Sequence, residues 1–351
     1  MKPCIAILFG GRSSEYSVSL ESATAVLTEL QKPPYDIYPI GITKDGRWFH
    51  YDGPLSSIQE DSWYRKKEYL TPVVVSQDPN VHSIMELHET TITPKMIDLA
   101  FPILHGRNGE DGTVQGLFEL AGIPVIGCGT LASALCMDKG RAHSLVAAAG
   151  IRVPSSVLFH RFEQKTGIQR VLQELSFPVF VKPLRAGSSY GITKVSDPAT
   201  LADAIDYAFS FDEEVIVEES IEGFEVGCAV LGRRELITGR VDAILLKDGF
   251  FDFHEKYTLE TSTIQMPAPL SPLQEKQVQE CAKKVFRTLH CDGMARVDFF
   301  FTPDHEIVFN EVNTIPGFTS HSRYPNMMKG AGLSFGDMLQ KLIGLYHANN
   351  L

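Results

Sequence analysis

Residues 295–313, ARVDFFFTPDHEIVFNEVN, constrain the fold of this chain more than any other stretch. Two β-branched and aromatic runs, 295–302 and 307–313, flank Pro303-Asp304-His305-Glu306, where Pro at the second turn position and Asp after it suit a type I turn. Side chains alternate across a strand, so residues two apart share one face. Pairing Thr302 with Ile307 sets Asp298 opposite Glu311 and Arg296 opposite Asn313. Two carboxylates and an amide oxygen then converge beside a guanidinium. Like charges facing each other across a ladder destabilise it, so something must neutralise them. Arg296 alone can pair both acids. The other neutraliser is Mg²⁺, which takes hard oxygens, uses one or two carboxylates and leaves its remaining positions to phosphate and water. With no His or Cys in the set, zinc is disfavoured. The metal reading is preferred, with Asp298, Glu311 and Asn313 as ligands. The strand breaks at Pro316-Gly317, where glycine lets backbone approach a reacting group without a clashing side chain.

A second stretch, FVKPLRAGSSYGITKV at 180–195, joins two strands through a small-residue loop. It lacks the G-x-x-x-x-G-K-[ST] pattern and does not open a helix, so it is not a P-loop. Backbone N–H groups and the hydroxyls of Ser188 and Ser189 can still cover phosphate oxygens in such a hairpin. Lys182, at the end of the first strand, points into the same space. Lys139 is a second candidate cation, or else a solvated helix lysine. Glu218, Glu219 and Glu225 surround a strand suited to adenine and ribose, although glutamates are commonly just exposed. FGGRSSE at 9–15 is not a G-x-G-x-x-G fingerprint. Gly10-Gly11 allow close approach there, and Glu15 can hold an ammonium group or simply favour the helix dipole.

The chain has 351 residues, enough for two or three cores, with 44% hydrophobic and 21% charged residues. No apolar run approaches a membrane span, and MKPCIAILFGG enters a strand directly rather than through a signal peptide. The six cysteines form no C-x-x-C pair, which argues for buried free thiols in a reducing cytoplasm. A net charge of −11 disfavours nucleic acid and anionic membrane as partners. In the first third, strands at 4–9, 36–42 and 98–104 alternate with helices at 18–30 and 113–121, which predicts a parallel sheet covered on both faces. A small α+β block follows, with Asp138 capping a helix to Ala149 and strands at 177–182, 192–195 and 214–219. The last third carries strands at 226–231 and 235–243, a long loop at 247–264, and a helix opened by the capping box Ser271-Pro272-Leu273-Gln274.

In order and spacing, FGGRSSEYSVSL, LHGRNGEDGTVQG, MDKGRAH, VKPLRAGSSYGITKV, EKY, ARVDFFF and NEVNTIPGFTSHSRYP resemble the D-alanine–D-alanine ligase family of ATP-grasp enzymes over almost the whole chain. The D-alanine–D-serine ligases of vancomycin resistance look most similar. The resemblance implies a three-domain ATP-grasp fold of class α/β and α+β: residues 1–127 as an N-terminal substrate domain, 128–220 as a central subdomain, and 221–351 as a C-terminal domain with the metal site and a mobile loop at 247–264. It implies ATP and two Mg²⁺, with Mn²⁺ as the alternative ion, held by Asp298, Glu311 and Asn313. Lys139, Lys182, Ser188 and Ser189 fall on phosphates, and Glu218, Glu219, Glu225 and Lys256 around the nucleotide. Glu15, His105, Ser188, Tyr257, Arg296, Gly317, Ser322 and Arg323 fall around the substrates. The implied reaction joins D-alanine to a second D-amino acid through an acyl phosphate, for peptidoglycan precursors, in a cytoplasmic homodimer.

Family members that make the D-lactate ester look different at Tyr257, where they carry a histidine; a neutral tyrosine admits an ammonium group instead. Tyr257, Ser188 and Glu15 resemble the family's hydrogen-bonded trio between two loops. Arg323 stands where ordinary D-alanyl-D-alanine ligases have an apolar residue, although the D-lactate group carries it as well, and Asp242 and Phe251 match the serine-type relatives. The loop FFDFHEKY also departs from the tyrosine-rich loop of ordinary ligases. D-serine is the expected second substrate. The alternatives are a housekeeping D-alanine–D-alanine ligase, another ATP-grasp carboxylate–amine ligase, and a non-catalytic nucleotide binder. Arg323 paired with a nearby acid also stays open.

Overall fold

The structure is a computed structural model that describes residues 2–31, 34–187, 189–246, 262–319 and 321–347. Three sheets follow one another along the chain. The first contains β1 (Cys4–Gly10), β2 (Asp36–Ile42), β3 (Trp48–Tyr51), β4 (Leu70–Val75), β5 (Ser83–Leu87), β6 (Ile92–Met96) and β7 (Leu99–Pro102), in the order β6-β5-β4-β3-β2-β1-β7. β1 is buried along its whole length and pairs parallel with β2 and β7. Its unbroken apolar run suits a strand covered on both faces. The helix Tyr16–Leu30 covers one of them with Leu20, Ala23, Val26 and Leu27. The expected all-parallel sheet is a mixed one, because β2 to β6 form an antiparallel meander. A parallel return needs a crossover of a dozen or more residues. Between β3 and β4 the described chain offers only the five-residue helix Leu55–Gln59 and a single 3-10 turn.

The second sheet, β10-β9-β11-β8, is antiparallel and comprises β8 (Ser156–His160), β9 (Val179–Pro183), β10 (Thr193–Val195) and β11 (Glu214–Glu219). Val179, Val181, Val215 and Val217 point to one face, under Val171, Leu201 and Ile205 of two helices. Alternation therefore sends Lys182 and Glu218 to the opposite face. Asp138 caps the helix Lys139–Ala148 by accepting a bond from the Arg141 N–H at 2.9 Å, which fixes Lys139 in the first turn.

The third sheet holds β12 (Phe224–Gly232), β13 (Leu236–Thr238), β14 (Asp242–Leu246), β15 (Ser262–Gln265), β16 (Gly293–Phe301) and β17 (Ile307–Asn313). Its order is β15-β14-β12-β16-β17, with β13 paired to β12. The single strand expected over 235–243 is two strands, since the Arg240 N–H turns aside to the Met327 carbonyl at 3.0 Å. Val226, Cys228, Val297, Phe299 and Phe309 face the helix Pro272–Thr288, whose capping box forms in full. All six thiols are free, and five are buried. No described helix is long and apolar enough to cross a membrane.

Candidate active site

The β16–β17 hairpin reaches the expected register by a different route. Phe301, not Thr302, pairs with Ile307, one residue out of the anticipated frame. An irregularity between Asp298 and Phe299 corrects it: Phe299 pairs with Phe309, Asp298 with Glu311, and Asn310 stays outside the ladder. Such a bulge puts two residues against one and re-aims the side chains beyond it. The turn itself is closed by the His305 N–H on the Thr302 carbonyl at 2.9 Å, with His305 at φ +64°.

Extending the row across the sheet places Asp242, Gly227, Asp298 and Glu311 side by side on β14, β12, β16 and β17. Two guanidiniums neutralise Asp298 and Asp242. Arg296 Nε lies 2.9 and 3.0 Å from the two Asp298 oxygens, and its Nη2 lies 2.7 Å from Oδ2. Asn313 Nδ2 donates to the same oxygen at 3.0 Å. Arg323 begins the helix Arg323–Gly330 and donates to Asp242 from Nε at 2.8 Å and from Nη2 at 2.7 Å. Its Nη1 donates to Glu225 at 2.9 Å, and Nη2 stands 3.5 Å from Asp298. Burial presses Arg323 towards losing its proton, and Asp242, Asp298 and Glu225 more than reverse this. The pairing of Arg323 with nearby acids, left open by the sequence, is what the structure has. Gly227 makes it feasible: a Cβ there would fall on Arg323 Nη2 and lie 2.8 Å from Asp298 Oδ1. Sequence reasoning missed Gly227, whose only signal was a glycine inside an otherwise apolar strand.

Between the second and third sheets lies a cleft of about 630 Å³ lined by Lys139, Phe180, Lys182, Ser189, Glu218, Glu219, Glu225 and Glu311, among others. Lys182 Nζ lies 2.5 Å from Glu218 Oε2, and both side chains are buried. Burial pushes the Glu218 carboxyl up, but Lys182, His143 and Lys139 outweigh it and hold it below its usual range. Lys139 donates to the Ala186 carbonyl at 2.7 Å, at the mouth of the glycine loop. Glu219 accepts the Ser155 N–H at 2.8 Å.

The first sheet contributes a clamp. His105 Nδ1 lies 2.9 Å from the Ile315 carbonyl, and the Glu110 Oε1 accepts the Ile315 N–H at 3.1 Å. A carbonyl only accepts, so Nδ1 carries the His105 proton and Nε2 accepts from Ser22 Oγ at 3.1 Å. Ser22 in turn accepts the Phe318 N–H at 3.2 Å. The peptides on either side of Pro316-Gly317 are thus held from the N-terminal third. Ser22 and Glu110 were not anticipated, although Glu110 sits in the quoted loop LHGRNGEDG. A Cβ at Gly317 would meet Ser322 Oγ at 2.7 Å, so a larger residue there would displace that hydroxyl. Glu15 is buried between Gly106 and Gly187; a Cβ at Gly187 would stand 3.0 Å from its Oε2. Ser188, Phe251, Lys256, Tyr257 and 247–261 of the expected loop lie outside the described residues, and the end of that loop, 262–264, is strand rather than loop because it pairs with β14.

The donor set of Asp298, Glu311 and Asn313 fits a hard divalent cation, being two carboxylates and an amide on adjacent strands with Glu311 opening on the cleft. Among the described residues no three His, Cys, Asp or Glu side chains gather as a metal cluster. The set here has only two, and the third donor is an amide.

Layered sheets enclosing a lysine- and glutamate-lined cleft define the class, an ATP-grasp ligase. The D-ala D-ala ligase N-terminus profile matches residues 4–128 and the D-ala D-ala ligase C-terminus profile residues 145–344. The chain is 45% identical over 345 residues to the vancomycin C-type resistance protein VanC2 of Enterococcus casseliflavus, covering 97% of each. It is 41% identical over 360 residues to a D-alanine–D-alanine ligase of Acetivibrio thermocellus, covering 98% of this chain and 96% of that one. The crystal structure of the VanG D-Ala:D-Ser ligase from Enterococcus faecalis superposes with a TM-score of 0.93 at 57% identity, covering 99% of this chain and 100% of that one. This chain therefore belongs to the D-alanine–D-alanine ligase family. It is an ATP-dependent ligase.

Two outcomes are expected. Gly227→Ala forces a methyl group onto Arg323 and is expected to cost about 1–3 kcal/mol of stability, as overpacking does; urea denaturation measures it. Burial beside Glu15 raises the Glu110 carboxyl from 4.5 to about 8. The folded chain then holds that proton where the unfolded chain has released it, so this contribution is full below pH 4.5 and fades towards pH 8. Denaturation of the wild type and Glu110→Gln at several pH values within that window checks the sign: the wild type must lose stability relative to the variant as pH rises. A difference independent of pH contradicts it.

Proposed function

We propose that this ligase joins D-alanine to D-serine, making a peptidoglycan precursor end that lowers vancomycin binding. The observation that carries the second substrate is the Arg323 cation, fixed over Gly227 by Asp242 and Glu225. A guanidinium has five N–H donors, more than the three bonds to those acids use. A serine hydroxyl beside it gains a charge-assisted bond that an alanine methyl cannot make. Pockets discriminate weakly on an added hydroxyl unless a group of this kind bonds it. The likeness to a solved D-Ala:D-Ser ligase supports the same reading.

In the proposed reaction, ATP lies in the cleft with Lys139, Lys182 and the 187–191 loop on its phosphates, and Glu218, Glu219 and Glu225 around the adenosine. Lys256 belongs to this nucleotide set as well. Asp298, Glu311 and Asn313 would hold two Mg²⁺, or Mn²⁺, and the bound ions would neutralise phosphate charge during transfer. Glu15 and His105 receive the first D-alanine. Its carboxylate oxygen attacks the γ-phosphorus, the bond to the β,γ-bridging oxygen breaks, and ADP leaves. The amine of the second amino acid attacks the acyl carbon and gives up a proton, and phosphate departs with the C–O bond. Arg296 and the Gly317 N–H stabilise the oxyanion between these steps. Ser322 and Arg323 position the second substrate, with Phe251 beside them. In this reading Tyr257, Ser188 and Glu15 tie the two loops together; of the segment 247–264 expected as a lid, 262–264 belong to strand β15 instead. Residues 1–127, 128–220 and 221–351 are the three domains of a cytoplasmic homodimer. The second reading, a housekeeping D-alanine–D-alanine ligase, draws on the similarity to the Acetivibrio enzyme.

Competition settles the second substrate: with D-alanine and D-serine equimolar, product analysis is expected to give mainly D-alanyl-D-serine. Dominance of D-alanyl-D-alanine sinks the proposal and favours the housekeeping reading. Arg296→Ala is expected to lower kcat by about 10²–10³-fold, the typical effect of losing one oxyanion donor. A folded variant that keeps wild-type kcat removes Arg296 from that role.

A further inference from the structure

His143 takes no part in the chemistry above, yet it touches both halves of the nucleotide cleft. It follows Lys139 by one turn on the same helix face. Its ring is buried, edge-on to Phe309 with centroids 5.4 Å apart. Nε2 lies 2.8 Å from the Asn310 carbonyl, and since a carbonyl only accepts, Nε2 carries a proton. Nδ1 stands 3.5 Å from Glu218 Oε1, and neither atom has a hydrogen-bond partner among the described residues. The other Glu218 oxygen takes Lys182. Asn310 is the extra residue of the β17 bulge and pairs with nothing on β16. A bulged residue leaves polar backbone outside the ladder, and a buried acceptor without a partner is costly. His143 supplies that partner.

We propose that His143 is a positioning residue of the phosphoryl-transfer site: by donating to the Asn310 carbonyl it locks the bulge that sets Glu311 opposite Asp298, with its ring packed beside the Glu218–Lys182 pair. The inference rests on the ligase reading above. It names a residue that couples the candidate metal strand to the nucleotide side of the cleft.

The test compares His143→Leu, which keeps bulk and removes the donor, with His143→Gln, whose amide N–H reaches the place of Nε2. ADP is titrated calorimetrically with and without Mg²⁺, and ATP kinetics are measured alongside. His143→Leu is expected to lose about tenfold of the affinity that Mg²⁺ adds to ADP binding, the size of one buried hydrogen bond, and to need about tenfold more Mg²⁺ for half-maximal turnover. KM for D-alanine should stay close to wild type, and His143→Gln should recover most of the loss. An unchanged Mg²⁺ dependence in His143→Leu overturns the proposal. So does an equal loss in both variants, or a loss equally large without Mg²⁺, since each marks a merely structural role. If His143→Leu does not fold, His143→Asn takes its place; its shorter amide misses the carbonyl and must lose the Mg²⁺ effect that Gln keeps. A wild type that releases no phosphate in response to D-alanine defeats the ligase reading, while the ADP titration still decides the role of His143.

Discussion

The third sheet depends on one electrostatic arrangement, a row of acids across its cleft face balanced by two arginines. Asp242 and Asp298 are almost fully buried, and Arg296 and Arg323 are nearly so. Isolated charges at that depth would cost several kcal/mol each. Paired and hydrogen-bonded, they become a rigid platform instead. Its rigidity comes from backbone as much as from charge, because Gly227 leaves the space in which Arg323 lies across three strands. The opposite face is ordinary hydrocarbon packing against the helix Pro272–Thr288. One sheet thus separates a polar reactive side from an apolar supporting side.

The reacting segment after β17 is anchored from far away in sequence. His105, Glu110 and Ser22 hold the peptides of Ile315 and Phe318, more than two hundred residues downstream. Glu15 reaches between Gly106 and Gly187 to link the first sheet to the glycine loop of the second. Parts of three sheets therefore meet around this segment, where the proposed reaction has its two amino acids. In the proposed reaction that placement suits acyl activation, in which water must be kept from a reactive acyl phosphate.

Much of this was legible in the sequence where the local pattern is strong. The capping box at Ser271, the cap at Asp138 and the limits of β11 and β17 follow from residue type and spacing alone. The pairing of Asp298 with Glu311 was anticipated for an incomplete reason. The turn begins one residue earlier than expected, and a bulge restores the frame. Bulges answer to tertiary contacts, here the His143 ring and the Asn310 carbonyl, which no local pattern encodes. The meander from β3 to β6 also escaped notice, because its short strands lack clean alternation and one edge is exposed. Lys182 and Asp298 carry a local signature in the chain. The supporting partners Gly227, Ser22, Glu110 and His143 do not, since their importance lies in what packs against them.

The shared ownership of Arg323 has an evolutionary consequence. Its guanidinium serves Asp242, Glu225 and, more distantly, Asp298 at once. Exchanging it for an apolar residue would strand negative charge in the interior beside the candidate metal ligand. On the proposed role of Arg323 in choosing the second substrate, selectivity at this position is not free to drift by one codon. A lineage changing its second substrate has to trade the arginine and at least one of its acids together, or pass through a destabilised ancestor.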